Sequence, residues 1–91
     1  MDTQTETRPV PDYMLGADWT PEYDSWRHGG WYVSNIRYPS GACGCVSRNY
    51  EDRKWRIVCS GSHDTTYATR NEAAHAERSY ALSLYLTGDA R

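Results

Sequence analysis

Residues 31–59 read WYVSNIRYPSGACGCVSRNYEDRKWRIVC, and this stretch decides the fold. It divides into three extended runs joined by two turns. The first run, residues 31–38, is rich in Trp, Tyr, Val and Ile, which suit a pleated, half-buried backbone. Pro39, Ser40 and Gly41 then turn the chain, and Glu51, Asp52 and Arg53 turn it again. The second run covers residues 43–50 and the third residues 54–59. The pattern predicts a meander of three antiparallel strands.

Side chains alternate between the faces of a strand. With a loop at 51–53, Cys45 lies opposite Cys59 and Ser47 opposite Ile57. Cys43, Cys45, Trp55, Ile57 and Cys59 then share the buried face, joined by Ile36 and Tyr38. The opposite face collects Trp31, Val33, Asn35, Arg37, Arg48, Tyr50, Lys54 and Arg56. A slip of one residue exchanges the two faces of a strand.

Downstream, Thr69-Arg70-Asn71-Glu72 fits a capping box, with Thr69 as N-cap and Glu72 reaching back. Ala73, Ala76, Tyr80, Ala81 and Leu84 fall at helical spacing. This predicts a helix from Arg70 to about Leu86, ending before Gly88. Its alanines allow close approach to the sheet. Residues 65–68 are expected to form a short extended segment, and Leu82, Leu84 and Leu86 leave a monomer or weak homodimer open.

Upstream, residues 1–17 are polar, hold Pro9 and Pro11, and read as a disordered acidic arm. Residues 18–91 then make one small domain. In DWTPEYDSW, Thr20 suits an N-cap, Pro21 the first helical position, and Glu22 and Asp24 the positive helix start. The expectation is one or two helical turns over 21–28. Its aromatics, Trp19, Tyr23 and Trp26, either cap the core edge or form a partner-binding arm. The fold class is therefore α+β, with a three-stranded antiparallel sheet packed on one C-terminal helix.

At 91 residues the net charge of −2 hides an asymmetry. Residues 1–26 carry Asp2, Glu6, Asp12, Asp18, Glu22 and Asp24 against Arg8. Residues 27–56 carry Arg27, Arg37, Arg48, Arg53, Lys54 and Arg56 against Glu51 and Asp52. An acidic arm beside a basic segment points to an anionic partner, or to a tail that shields the basic face. Phe is absent, while Trp is 4 and Tyr 8, and such aromatics favour wet surfaces. No apolar run is long enough for a membrane span, and the N-terminus lacks a signal-peptide pattern. An intracellular, non-membrane protein is expected.

Cys43, Cys45, Cys59 and His63 are of zinc-ligating types. Their spacing lacks a C-x-x-C knuckle, and small buried cysteines explain it as well. No cofactor is therefore expected, with zinc as the alternative. His28, His63 and His75 are scattered, and His75 reads as a surface residue. G-x-S-x-G, P-loop and H-E-x-x-H elements are all missing, so binding rather than catalysis is expected. The basic face supplies the candidate residues Trp31, Asn35, Arg37, Arg48, Tyr50, Lys54 and Arg56. Arginine meets phosphate or guanine, Asn can pair with adenine, and aromatics stack.

Two resemblances bear on this. Residues 66–77, TYATRNEAAHAE, resemble the strand-to-helix junction of the plant Apetala-type DNA-binding domain and of the arm-type domain of phage integrases. Residues 31–41 resemble that family's first strand. The resemblance implies a three-stranded sheet reading the major groove with Arg and Trp. By position it favours Trp31 and Arg37, with Arg48 and Arg56 as weaker extensions. Taken whole, the blocks WYVSNIRYPSGACGCVSRNY, KWRIVC and TRNEAAHAE resemble the small early-region proteins of mycobacteriophages. That implies action in the cytoplasm of an infected bacterium, on nucleic acid or, in a second reading, on a bacterial host protein.

Overall fold

The computed structural model describes residues 9–26, 30–57 and 65–87. Four antiparallel strands, β1 (Tyr23–Trp26), β2 (Gly30–Arg37), β3 (Cys43–Ser47) and β4 (Arg56–Ile57), form one sheet in the order β1-β2-β3-β4. The C-terminal helix α1 (Arg70–Thr87) covers one face. The α+β class and the meander are as expected, but the sheet has four strands instead of three. The extra strand, β1, occupies the segment expected to be helical. A helix of one or two turns is marginal on its own. As a strand, β1 pairs with β2 from Tyr23↔Val33 to Trp26↔Gly30, and the Ser34 N–H donates to the Glu22 carbonyl at 2.8 Å. Tertiary pairing outweighs the local capping signals.

The turn after β2 follows the sequence. Gly41 donates its N–H to the Tyr38 carbonyl at 2.8 Å and takes φ +97°, a conformation that favours glycine. The β3–β4 register differs by one residue from expectation. Val46, not Ser47, lies opposite Ile57, and Ser47 lies opposite Arg56. Val46 and Ile57 therefore face the helix together, while Cys43 and Cys45 alternate to the other face. Trp31↔Val46 and Val33↔Gly44 continue the helix-facing rows, so Trp31 and Val33 belong to the packed side and not to a basic face.

A register irregularity between Val33 and Arg37 breaks the alternation of β2. Asn35 and Ile36, adjacent in sequence, are both buried. Such a bulge adds a residue and re-aims side chains. It brings Ile36 and Tyr38 into the core, as expected, and withdraws Asn35 from the surface.

The helix packs closely because β3 carries glycine where it passes beneath. A Cβ built on Gly44 would come within 2.6 Å of Ile36 Cβ and Cγ2 and 3.3 Å of Glu77 Cγ. Ala73, Ala74, Glu77, Ala81, Leu84 and Tyr85 form the buried stripe, with Ala76, Tyr80 and Leu82 beside it. Leu86, by contrast, is 88% exposed. The Glu72 N–H donates to Thr69 Oγ1 at 3.1 Å, completing half of the capping box. The Glu72 carboxylate accepts from the N–H of Ala68 at 3.2 Å, one residue before the expected donor.

Residues 9–17, expected within the disordered arm, dock on the core. A 3-10 turn over Asp12–Met14 places Met14 in full burial. The Met14 carbonyl accepts from Arg78 Nε at 2.7 Å, and Met14 Sδ accepts the Arg37 N–H at 3.4 Å. Met14 and Val10 both pack against the core cluster and anchor this polar stretch. Residues 1–8 lie outside the described residues.

Candidate functional site

The expected basic sheet face does not form as one surface. Trp31 packs on the helix side, where the Arg70 guanidinium stands 4.7 Å from its ring centroid and Tyr23 meets it edge-on at 6.3 Å. Asn35 is 8% exposed. Its Nδ2 donates to the Thr20 carbonyl at 2.8 Å, and its Oδ1 accepts the Glu22 N–H at 3.0 Å. It pins the chain entering β1 and has no edge left for a base. Arg37 is half-buried and donates to the Gly41 carbonyl at 3.0 Å, bracing the turn. The Tyr13 hydroxyl beside it holds its guanidinium still more firmly in the charged form.

Arg56 faces outward but is occupied. Its guanidinium forms two bonds of 2.9 Å to the Asp52 carboxylate and lies 4.6 Å over the Tyr50 ring. The Arg56 pairing, helped by the Lys54 N–H at 3.1 Å, holds the Asp52 carboxyl well below the ordinary carboxylate range. Trp31, Arg37 and Arg56, which an Apetala-type sheet would use together, are thus not on one surface.

Three cations remain together. Arg48, Arg53 and Lys54 line a cleft of about 330 Å³ with Trp55, Thr66, Tyr67 and Ala68. The cleft lies between the end of the β3–β4 hairpin and the segment leading into α1. An isolated bridge between Trp55 and Tyr67 joins its walls, with the Tyr67 N–H donating to the Trp55 carbonyl at 2.9 Å. This is the extended segment expected over 65–68. Arg48, Arg53 and Lys54 are all exposed, and among the described residues none forms an ion pair with a carboxylate. The Arg48 guanidinium stands over the Trp55 ring at 5.4 Å.

Arg53 takes φ 58°, the one non-glycine residue with positive φ among those described. A left-handed conformation costs an L side chain roughly 1–2 kcal/mol. A charged, strained residue at the mouth of a cleft is a common mark of function. Sequence reading selected Arg48 and Lys54 but passed over Arg53, Trp55 and Tyr67. The signal for Arg53 was its adjacency to Lys54 in the turn. Trp55 packs against the core cluster, as the sequence reading expects, and lines the cleft as well, and Tyr67 in the connecting segment does both too.

The partner-arm residues are tied down. Trp19 is 7% exposed, meets His75 edge-on at 5.1 Å and has Arg78 at 5.0 Å from its ring. Tyr23 donates its hydroxyl to Asn71 Oδ1 at 2.6 Å, and Arg70 stacks on its ring at 3.8 Å. Burial pushes the Tyr23 phenol above its ordinary value, against the opposing effect of Arg70. These aromatics cap the core edge, the simpler of the two expected roles. The side chain of Trp26 lies outside the described residues.

Of the zinc candidates, Cys43 donates its thiol to the Val33 carbonyl at 3.4 Å and Cys45 is buried. Cys59, His63 and the remaining histidine, His28, lie outside the described residues. Among the described residues, no group of three or more His, Cys, Asp or Glu is placed to hold a metal ion. No described helix is long and apolar enough to cross a membrane. No family model matches the chain, nor does any curated protein or solved structure.

Proposed function

We propose that this is a phage-type accessory protein that acts by binding nucleic acid in the infected bacterial cytoplasm, through the cleft of Arg48, Arg53, Lys54, Trp55 and Tyr67. The observation that carries this reading is the convergence on one concavity of Arg48, Arg53 and Lys54, none of them in an ion pair with a carboxylate among the described residues, and of Trp55 and Tyr67. Cations in a groove track a phosphate backbone, and aromatic faces accept bases regardless of sequence. The phage setting is supported by the resemblance of residues 31–50, 54–59 and 69–77 given above. The reading moves the binding surface from the sheet face to its corner and retains Arg48 and Lys54.

The test is fluorescence anisotropy with labelled mixed-sequence oligonucleotides, single-stranded and duplex, over a salt series. Three phosphate contacts give a slope of about −2 to −3 in log K against log salt. An Arg48→Glu, Lys54→Glu variant that keeps its melting temperature is expected to lose binding. Retention unchanged in that variant removes the cleft from the account. If no oligonucleotide binds at low salt, the partner is a bacterial host protein instead.

A further inference from the structure

We infer that the cleft receives one unpaired base, so that the nucleic acid this protein selects is single-stranded and read with little sequence preference. This rests on the nucleic-acid reading above.

The strand register argues against a duplex. Outward-facing rows of the sheet run Asp24–Tyr32–Cys45, Gly30–Ser47–Arg56 and Arg37–Cys43. The two cations in those rows are engaged, Arg56 by the Asp52 carboxylate and Arg37 by the Gly41 carbonyl, and Asp24 adds a negative charge at the β1 edge. A surface that grips a duplex spreads six to ten phosphate contacts over both strands, about the scale of a groove-reading protein. Here Arg48, Arg53 and Lys54, which form no carboxylate ion pair among the described residues, are gathered at one corner. They suit two or three consecutive phosphates of one strand.

The shape of the cleft agrees. Its lining includes the Trp55 indole, the Tyr67 phenol, the small side chain of Ala68 and the Thr66 hydroxyl. A flat heteroaromatic ring can lie against such a lining, whereas a base inside a duplex must first be unstacked and unpaired. Apart from the Tyr67 and Thr66 hydroxyls and the Trp55 indole N–H, the uncharged lining side chains carry no hydrogen-bonding group for a base edge. Stacking, which every base provides, therefore dominates.

Arg48 has the freedom such a site needs. Its guanidinium stands 5.4 Å from the Trp55 ring centroid, whereas Arg70 presses on Tyr23 at 3.8 Å. Arg48 is exposed, and only Trp55 engages its guanidinium among the described residues. An entering base can displace it from the indole and be covered by it from above.

The experiment uses the full chain with a labelled ten-nucleotide thymidine oligomer and a ten-base-pair duplex at one low salt concentration. Binding is read by anisotropy and by the Trp55 indole N–H resonance. The single strand is expected to bind at least tenfold more tightly and to shift that resonance. Arg48→Ala is expected to weaken the single strand about tenfold at unchanged melting temperature. Equal or tighter duplex binding overturns the unpaired-base inference while leaving the nucleic-acid reading standing. Tighter single-strand binding with an unmoved Trp55 resonance also overturns it, since the base then lies elsewhere. Binding of neither oligomer ends the underlying reading, and this inference with it.

Discussion

The carboxylate of Glu77, in the middle of α1, accepts the backbone N–H of Cys45 on β3 at 2.9 Å, with both residues buried. Glu77 sits where an amphipathic helix would place an apolar residue. A helix side chain thus satisfies a strand donor inside the core, which keeps a buried N–H from remaining unmet. Glu77→Ala is expected to lower stability by about 1–3 kcal/mol through the stranded donor. Glu77→Gln keeps an acceptor oxygen and should lose less. Urea unfolding of the two variants reads the difference.

Gly44 allows the helix and the bulged strand to approach. With Ile36 Cβ and Cγ2 at 2.6 Å from the position of an added Cβ, no rotamer change of Ile36 relieves the clash. Gly44→Ala should cost about 1–3 kcal/mol by overpacking, and Gly44→Val more. Thermal melts of both would show a graded loss. A melt unchanged by Gly44→Ala would mean that β2 and β3 can separate there without penalty.

If the cleft binds as proposed, Arg53 trades stability for binding. Its left-handed φ of 58° is one that glycine adopts freely. Arg53→Gly should raise stability by up to about 1 kcal/mol while removing one cation from the cleft. The pairing of a higher melting temperature with weaker oligonucleotide binding is the expected signature. Any gain in both together would contradict a binding role for the residue.

Asp52 pairs with Arg56 and places a negative charge next to Arg53 and Lys54 in the sequence. Neutralising it as Asp52→Asn should tighten oligonucleotide binding several-fold at low salt. The gain should fade as screening shortens the reach of the charges. Isotherms at two salt concentrations would show both effects.

Tyr23 predicts an alkaline limit. Its partly buried phenol has a raised pKa in the fold, so the folded state favours the neutral form. The stabilisation is fully present below the unfolded phenol's value of about 10 and is lost as pH rises through the folded value. Melting temperatures measured across about pH 9 to 11.5 should fall more steeply for wild type than for Tyr23→Phe. Parallel curves would place the alkaline sensitivity elsewhere.

The legible parts of the fold were those set by local chemistry. The Thr69–Glu72 cap, the Gly41 turn and the β2–β3 hairpin all follow from residues near one another in sequence. The errors came where distant partners decide. Residues 23–26 carry good helix-start neighbours, yet pairing with β2 makes them a strand. A one-residue shift between β3 and β4 reversed the faces of Val46 and Cys45, and the bulge near Asn35 turned a candidate base reader into a buried brace. Arg48 and Lys54 were visible as surface cations. Their companionship with Tyr67 was not, because nothing local in residues 48–55 refers to residue 67.

That companionship ties occupancy of the cleft to integrity of the chain. Its two walls come from segments joined by the Trp55–Tyr67 bridge, so the concavity exists only while β4 and the lead into α1 remain docked. An unfolded chain offers the same cations without the enclosure. Any ligand preferring the assembled cleft therefore acts as a clamp on a thin fold, adding about 2.7 kcal/mol at a hundred times its Kd. For a domain of this size such a contribution rivals the stability of the core itself, about 3–5 kcal/mol. The protein would thus last longest when occupied.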